Sequence, residues 1–365
     1  MAALAAFPPP QRGRMLGAVL EASLRHFVET SSGGSVVRAQ PATTGASRRT
    51  WLLDVERGGE RLELVLRVDT GDGPLSGSEL NLAREAVVYR ALQGRGVRIP
   101  KLHAASREAL LIARAPGSDA FASVLDAGRR AAIVRDFFVA LAELHGVNAD
   151  RLALPGFAVP ADGPDHARCD LDLWRRISAA RIPPDPLCEF AARWLDASAP
   201  PADRTVLCHG DAGPGNFLFD GERVTALLDW EFAHLGDPLD DLAWVAVRAH
   251  LLGGFGDLAE GFRTWRDSSG MRFDVARVEY YRALVLLRMA ISCRLGLAHA
   301  DAQRGDTTVY RLLLPYLRWL LPDALARAGC KGPELDEFGE AGRDALERTP
   351  ILASRARPLE PLPIA

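Results

Sequence analysis

The stretch that decides the fold is VLCHGDAGPGNFLFDGERVTALLDWEFAHLGDPLDDLAW, from Val206 to Trp244. Short hydrophobic runs within it predict buried strands, and unusual polar residues stand at the ends of those runs. These polar residues are His209, Asp211, Asn216 and Asp229. Burying a carboxylate is costly unless it is paired or binds a metal. The stretch therefore predicts either a structural polar network or a site that performs chemistry.

The spacing of these residues resembles that of protein kinases, in which an Asp-x-x-x-x-Asn catalytic loop is followed by a metal-binding Asp after a short hairpin. Asn216 lies five positions after Asp211, and Asp229 ends the run VTALLD thirteen positions after Asn216. Transfer of a phosphoryl group needs a carboxylate that orients and deprotonates the accepting hydroxyl, and oxygen ligands that hold Mg²⁺ against the phosphates. Asp211 suits the first role as the catalytic base. Asn216 and Asp229 suit the second as metal ligands.

The segments HGDAGPGN and LLDWEFAHLGDPLDDLAW resemble the motifs of the aminoglycoside phosphotransferase and choline kinase-like family of small-molecule kinases. The resemblance covers about residues 20 to 330 and is sharpest over Val206–Trp244. It implies an α+β, bilobal protein-kinase-like fold, with a small β-rich N-lobe and a larger, mainly helical C-lobe. It also implies ATP or another nucleoside triphosphate, Mg²⁺, and a small-molecule acceptor that carries a hydroxyl group.

The same resemblance implies a cation on a central N-lobe strand, paired with a glutamate on a helix. LELVLRVD offers Arg67 where a lysine is usual, and LAREAVVYRAL offers Glu85. Arginine is always charged and can bind phosphate through two nitrogens, so phosphate binding could survive this replacement. LVLR followed by a helix with RE also resembles the branch related to kinase-like domains fused to some acyl-CoA dehydrogenases.

Two further nucleotide contacts are implied by the resemblance. The loop TTGASRRTW, which contains Gly45, would cover the phosphates, although it has only one glycine. The segment LIARAPG, Leu111–Gly117, would be the hinge, where backbone groups of Ala113 and Ala115 meet the adenine.

Residues around the central set are expected to support it. His209 is expected to orient its loop rather than to catalyse, and Asp241 to brace the loop from below. Glu231 has two open roles, which are metal binding and contact with the substrate. For Asp237 and Asp240, capping of the helix DPLDDLAWVAVR is at least as strongly expected as a role in the site, because acidic residues favour helix N-termini.

Composition restricts the partners and the compartment. The chain has 365 residues and a net charge of −3, which gives no global field to attract nucleic acid or an acidic membrane surface. No apolar run reaches the roughly 18 residues needed to cross a bilayer. Five scattered cysteines without a CxxC pair favour free thiols in a cytoplasmic protein. Nothing in the sequence indicates an oligomeric state.

The pattern along the chain predicts four parts: a flexible leader over 1–13, an N-lobe over 14–115, a C-lobe over 116–345 and an extended, proline-rich tail over 346–365. A helix is expected from Arg14 to Glu29, and a second over SELNLAREAVVYRALQGRG with Ser78 as its N-cap. Further helices are predicted at Arg129–Val147, Asp170–Arg181, Val275–Leu297 and Thr308–Leu325.

Two other functions compete with phosphoryl transfer. A two-metal phosphoesterase needs several histidine ligands, and the decisive stretch supplies only His209 and His234. A degenerate kinase fold, serving as a nucleotide-binding or scaffold module, is favoured if Arg67 cannot hold the phosphates. The acids of segments 162–172 and 237–241 permit a cationic acceptor without requiring one. The first of these segments, with Asp170, is expected to be a solvated loop that leads into a helix.

Overall fold

The protein is described here by a computed structural model, which has two lobes as the sequence predicted. The leader 1–13, Gly45 and Asp162 lie outside the described residues. The described residues are 20–42, 48–69, 71, 73, 75–161, 163–253, 255–303, 307–349, 354 and 356–362.

The N-lobe is built on an antiparallel sheet of five strands in the order β1-β2-β3-β5-β4. A tight turn at Gly58 and Gly59, both with positive φ, joins β2 to β3, as the Gly-Gly pair predicts. The strands are β1 Ser35–Pro41, β2 Arg49–Arg57, β3 Glu60–Val68, β4 Leu102–Ala105 and β5 Ala109–Ala113.

Each face of this sheet packs against one helix. Successive strand residues point to opposite faces, so Leu66 and Val68 of β3 join the apolar cluster on the side of α1, Ala22–Ser32. Arg67 lies between them and consequently faces α2, Leu82–Leu92, on the other side. This alternation delivers the predicted strand cation to the helix that carries the predicted glutamate.

Both N-lobe helices differ from their predicted limits. The first helix begins at Ala22 rather than at Arg14, and Leu20, which precedes it, is buried outside the helix. In the second, the N-cap is Asn81, whose side chain accepts the N–H of Arg84 at 3.1 Å, and not Ser78. The Ser78 hydroxyl instead donates to the carbonyl of Leu75, so the first helical turn starts three residues later than expected.

The C-lobe is mainly helical, and it contains the four helices that the sequence predicted. The segment predicted as a solvated loop instead begins α4 at Asp165, and Asp170 within it is only 4% exposed. The C-lobe helices are α3 Ala127–His145, α4 Asp165–Ala179, α5 Pro186–Ala197, α6 Leu239–Leu252, α7 Leu258–Ser269, α8 Val275–Gln303, α9 Thr308–Arg327 and α10 Pro333–Glu347. Across the described ranges, no helix is long and apolar enough to cross a membrane.

Two short strand pairs position the decisive stretch within this lobe. Strand β6, Val206–Cys208, pairs with β9, His234–Gly236, while β7, Phe217–Asp220, pairs with β8, Arg223–Leu227. The loop between β6 and β7 and the loop between β8 and β9 are thereby brought side by side. His209, Asp211, Asn216 and Asp229, the polar residues that the sequence singled out, lie in these two loops.

The connection between the lobes is tied to one of these strand pairs. Ser118 and Phe219 exchange two backbone hydrogen bonds of 2.9 and 3.0 Å. Gly117 has a φ of 111°, and a Cβ at this position would lie 2.5 Å from the carbonyl oxygen of Phe219. A glycine is required here because the chain leaving β5 must pass so close to β7.

Candidate active site

The loop between β6 and β7 holds the first part of the site. The side-chain amide of Asn216 donates through Nδ2 to the backbone carbonyl of Asp211 at 2.8 Å and to its Oδ2 at 2.6 Å. The five-residue spacing therefore closes the loop on itself and fixes the Asp211 carboxylate. Because both contacts use the nitrogen of Asn216, its oxygen is left as a ligand for another group.

The loop between β8 and β9 presents Asp229 next to this arrangement. Asp229 has a φ of 66°, and it is the only non-glycine residue in the described ranges with a positive φ. Such backbone strain is concentrated at functional sites. His209 lies against the same loop, since its Nε2 donates to the carbonyl of Leu228 at 2.8 Å and its Nδ1 accepts the N–H of Asp211 at 3.3 Å. Burial lowers the pKa of His209, in keeping with a neutral ring that links the two loops.

Arg67 joins the N-lobe to the second loop. One guanidinium nitrogen contacts Glu85 Oε1 on α2, and the other, Nη2, donates to Asp229 Oδ1 at 2.7 Å. Burial by itself would raise the pKa of Asp229, but the charge and hydrogen bond of Arg67 outweigh it and hold that pKa below its usual value. The side chain of Asp229 is 33% exposed, so it can still reach a ligand.

A second arginine, which sequence analysis did not single out, lies beside this pair. Arg48 is buried immediately before β2; its Nη2 donates to the carbonyl of Leu80 at 3.1 Å and lies 4.0 Å from Glu231 Oε2. Burial and the neighbouring Asp229 raise the pKa of Glu231 to about 8. The arginine pair in TTGASRRTW was the signal in the sequence, but only folding shows which of the two turns inward.

Asp241 lies beneath the first loop. Its carboxylate accepts the backbone N–H groups of His209 at 2.7 Å and of Gly210 at 2.8 Å, and it also contacts His145 Nε2 at 2.9 Å. Trp265 donates its indole N–H to the other ring nitrogen of His145 at 3.0 Å. His145 must then carry its proton on Nε2, which donates to Asp241 and completes a fully buried support for the loop.

Asp237 and Asp240, at the N-terminal end of α6, have different partners. Asp237 precedes the N-cap residue Pro238, and its Oδ1 accepts the N–H of Leu239, the first residue of α6, at 3.0 Å. Asp240 is not a cap, because it forms two hydrogen bonds with Arg288 of α8, at 3.0 and 2.8 Å, and contacts His234. Asp170 contacts Arg288 Nε at 2.7 Å, so this predicted surface acid is part of a buried ion cluster.

Arg248 is the other functional candidate that sequence analysis missed. It lies on α6, and its Nη1 contacts Asp211 Oδ1 while its Nη2 donates to the carbonyl of Pro214, both at 2.5 Å. The signal was its position seven residues after Asp241, which on a helix places the two side chains on the same face.

A cleft of about 680 Å³ lies between the lobes. It is lined by Arg48, Arg67, Asn216 and Asp229, and at the hinge by Ala113, Ala115 and neighbouring residues. The N–H of Ala113 already donates to the carbonyl of Lys101 at 2.7 Å, so only its carbonyl could meet a base. The structure thus brings together the predicted residues of both lobes, apart from Gly45, which is outside the described residues.

The donor set suits a magnesium ion only in part. Within the described ranges, no group of three or more His, Cys, Asp and Glu side chains is arranged to hold a metal by itself. Asn216 Oδ1 and the second oxygen of Asp229 are hard oxygen donors on adjacent loops. Because Mg²⁺ is commonly held by one or two carboxylates together with substrate phosphates, these residues fit an ion that arrives with a nucleotide.

Comparison with known proteins identifies the family of the chain. Residues 38–291 match the phosphotransferase enzyme family, and the chain belongs to that family. Acyl-CoA dehydrogenase family member 10 of Mus musculus is 29% identical over 242 residues, which are 63% of this chain and 22% of that protein. The probable acyl-CoA dehydrogenase IBR3 of Arabidopsis thaliana is 25% identical over 350 residues, which are 84% of this chain and 40% of that protein. The chain therefore spans less than half the length of these relatives, and the predicted family and branch are confirmed.

Solved structures confirm the fold. A thermostable variant of aminoglycoside phosphotransferase APH(4)-Ia, in complex with ADP and hygromycin B, superposes with a TM-score of 0.58 at 18% identity, over 85% of this chain and all of that chain. The macrolide 2′-phosphotransferase MphH from Brachybacterium faecium gives a TM-score of 0.54 at 20% identity, over 85% of this chain and 99% of that chain.

Proposed function

We propose that this protein is an ATP- and Mg²⁺-dependent phosphotransferase that moves the γ-phosphoryl group to a hydroxyl of a small molecule. The observation that carries the proposal is the bridge formed by Arg67, which contacts Glu85 and Asp229 at the cleft that Asn216 also lines. A nucleotide binder without chemistry has no need for the Asp211–Asn216 pair beside that bridge. The solved relative that holds ADP and hygromycin B supports the same assignment of nucleotide and acceptor.

Nucleotide binding falls to residues of both lobes. Arg67 would bind the phosphates through the guanidinium N–H groups that Glu85 and Asp229 leave open. Ala113 and Ala115 would contact the base with backbone groups. Asn216 and Asp229 would hold Mg²⁺, which neutralises phosphate charge when it is bound. Catalysis then depends on positioning and charge stabilisation more than on covalent chemistry.

Asp211 would act as the catalytic base. Its carboxylate is oriented by Asn216 through Oδ2, and its loop is held from below by Asp241 through two backbone N–H groups. In this position it would accept the proton of the acceptor hydroxyl as the oxygen attacks the γ-phosphorus. His209 would fix the separation of the two loops without taking part in proton transfer.

The acceptor is proposed only as a class. The solved relatives are named for aminoglycoside and macrolide substrates, whereas the sequence relatives are named as acyl-CoA dehydrogenases. Hydroxylated acyl compounds and hydroxyl-bearing antibiotics are therefore the two sets to screen. The described cysteines are all free, which supports the expected cytoplasmic compartment.

Calorimetric titration tests the nucleotide and metal site directly. ATP is titrated with and without Mg²⁺ into the wild type, Asp229→Asn and Asp220→Asn, the last being a surface control at the exposed end of β7. We expect Mg²⁺-dependent binding that is weakened at least about tenfold in Asp229→Asn, a loss of about 1.4 kcal/mol, and unchanged in the control. Equal binding in Asp229→Asn and the wild type would contradict the assignment of Asp229.

The second candidate is a degenerate module of the same fold, and one observation favours it. Arg67 occupies an oxygen of Asp229 directly, which competes with metal binding at that carboxylate. A degenerate module would bind ATP equally with and without Mg²⁺, or not bind it while remaining folded. The titration therefore separates the two functions.

A further inference from the structure

Arg248 has no role in the site as proposed so far, yet it contacts the proposed base. We propose that Arg248 is a catalytic residue that supplies positive charge to the transferring phosphoryl group from α6. The inference rests on the proposed function, because it assumes that a phosphoryl group is transferred beside Asp211.

The contacts place the guanidinium group next to the reacting atoms. Asn216 holds Asp211 Oδ2, and Arg248 Nη1 holds the other oxygen, Oδ1, at 2.5 Å. A base must lie within about 2.6–3.2 Å of the hydroxyl that it deprotonates. The guanidinium group is therefore about two hydrogen bonds away from the oxygen that attacks phosphorus.

The loop is shaped to admit this side chain. Gly213 has a φ of 144°, and a Cβ at this position would lie 2.9 Å from Arg248 Cδ and 3.2 Å from its Nε. A Cβ at Gly215 would lie 3.3 Å from Arg248 Nη2. Both glycines of DAGPGN thus leave space for one arginine, whose Nη2 is fixed by the carbonyl of Pro214.

The hydrogen bonding of Arg248 is incomplete in this state. Its Nε is buried and has no hydrogen-bond partner within the described part of the chain. Buried polar groups are nearly always hydrogen-bonded, and exceptions call for an explanation such as a missing ligand or a catalytic role. A small rotation of the guanidinium group toward an incoming phosphoryl oxygen would provide that partner.

The composition indicates that a cation on this side of the cleft is an arginine, because nearly all the positive charge of the chain is arginine. The only two lysines, Lys101 and Lys331, are both exposed, and Lys101 lies at the start of β4 while Lys331 precedes α10. Arg67 is engaged by Glu85 and Asp229 on the nucleotide side. An arginine suits the remaining task, because its planar group can bind a carboxylate or a phosphoryl group through two nitrogens.

During the reaction, Arg248 would exchange its contact with Asp211 for a contact with the transferring phosphoryl group. The acceptor O–H bond breaks and its proton passes to the Asp211 carboxylate, while the acceptor oxygen forms a bond to the γ-phosphorus. The bond from that phosphorus to the bridging oxygen breaks, and ADP leaves with the electron pair. Asp211 becomes neutral and therefore holds the guanidinium group of Arg248 less strongly. At the same time, the negative charge on the phosphoryl oxygens attracts the guanidinium group. Arginines that act on phosphoryl transfer in this way contribute about 10³–10⁵ in kcat.

A transition-state analogue separates this role from a merely structural one and needs no acceptor. The affinity for ADP·Mg²⁺ is measured with and without aluminium fluoride, which mimics the transferring phosphoryl group. The proteins compared are the wild type, Arg248→Gln, Arg248→Lys and Arg135→Gln. The last variant removes a surface arginine that pairs with Glu260, far from the site in sequence and on the exposed faces of α3 and α7.

In the wild type and in Arg135→Gln, aluminium fluoride should tighten ADP·Mg²⁺ binding. Arg248→Gln should lose at least about 100-fold of that gain, as is typical when one donor to transition-state charge is removed. Its affinity for ADP·Mg²⁺ alone should stay within about twofold, and Arg248→Lys should recover part of the gain. A full gain in Arg248→Gln overturns the inference. So does an equal loss of ADP·Mg²⁺ affinity with and without fluoride, which indicates a structural role.

Other outcomes also decide between the role of Arg248 and the proposed function. A wild type that binds ADP·Mg²⁺ but gains nothing from aluminium fluoride overturns the role of Arg248 and leaves the nucleotide site standing. A folded wild type that does not bind ADP·Mg²⁺ overturns the proposed function, and the inference with it. If Arg248→Gln fails to fold, Arg248→Lys decides: a partial fluoride gain with unchanged ADP·Mg²⁺ affinity supports the inference, and an undiminished gain overturns it.

Discussion

Arg67 performs with one side chain what a lysine at the same place could do only in part. Its two terminal nitrogens bind different partners, Glu85 on a helix and Asp229 on a loop of the other lobe. A lysine presents a single ammonium group, which is a point charge without this planar geometry. The replacement of the usual lysine therefore keeps the charge and adds a direct contact between the lobes.

This geometry gives a prediction for stability. In Arg67→Met, the Glu85 carboxylate is left without its cation, and its side chain is 0% exposed. Removing one partner of a buried ion pair typically costs about 3–5 kcal/mol, so we expect a loss of that order in urea unfolding. The double variant Arg67→Met/Glu85→Gln should recover part of the loss, because it no longer buries a lone charge.

A matched control variant distinguishes the loss of the buried Arg67–Glu85 ion pair from the loss of any arginine. Arg176→Met removes a pair with Glu79 in which both side chains are more than half exposed. Exposed pairs contribute at most about 1 kcal/mol. If Arg67→Met costs no more than Arg176→Met, the account of a buried bridge at Arg67 is wrong.

At the residue scale, the sequence could predict the members of the site that lie in one motif. The spacing of Asp211, Asn216 and Asp229 is the one that the proposed chemistry needs, and it is visible in a continuous stretch. Arg48 and Arg248 could not be predicted in the same way. Each reaches the site from a separate element, and an arginine in a strand or helix is by default a surface residue.

At the scale of elements, two strand pairs and one helix build the site. The pairing of β6 with β9 and of β7 with β8 sets two loops side by side, and α6 supports them from below. Asp241 and Arg248 lie on α6, and Asp237 precedes it. Asp237 contacts the first residue of α6, Asp241 the backbone of the first loop and Arg248 the proposed base. The helix was predictable from its pattern, and these contacts were not.

The N-termini of helices show why such contacts could not be predicted from the sequence. Ser78 and Asp240 both have the residue types that cap helices, yet Asn81 caps α2 and Asp240 binds Arg288. Arg288 lies 48 residues further along the chain, on a different helix. Capping is a local rule, so it fails where tertiary packing offers a stronger partner.

The start of α6 also gives a pH-dependent prediction. Burial raises the pKa of Asp237 from 3.8 to about 6, although the charge of Arg277 opposes this. The folded state thus keeps a proton that the unfolded chain has lost, and this contribution to stability is lost as the pH rises through about 6. Asp237→Asn cannot ionise. Its free energy of unfolding relative to the wild type should therefore increase between pH 4 and pH 8, by up to about 3 kcal/mol.

Urea unfolding at the two pH values measures this difference. Asp267→Asn, at an exposed position of α7 with a side chain that is 69% exposed, serves as the control and should show no such change. A constant difference between Asp237→Asn and the wild type across this range would show that Asp237 titrates alike in the folded and unfolded states.

At the scale of the whole molecule, the sequence predicted the two-lobed fold because the decisive stretch belongs to a known arrangement of lobes. The structure adds how the lobes are held together, through the Arg67–Asp229 contact and the Ser118–Phe219 backbone pair. The tail after α10 packs against the rest of the protein, although the sequence predicted an extended segment. Leu359 and Leu362 are buried, and the backbone of Arg357 binds the hydroxyl of Tyr316 on α9. The proposed lobe limits at 115 and 345 remain predictions.

The central claim is that the two lobes together form a working phosphotransferase. It is tested most directly by ADP production from ATP·Mg²⁺ with a panel of hydroxylated acyl compounds, aminoglycosides and macrolides, in the wild type and in Asp211→Asn. We predict acceptor-dependent ADP production that is at least about 100-fold slower in Asp211→Asn, with ATP affinity changed by no more than about twofold. Equal turnover in Asp211→Asn would contradict the assignment of the base. A folded wild type that binds ATP·Mg²⁺ but produces no ADP with any acceptor would contradict the claim of catalysis.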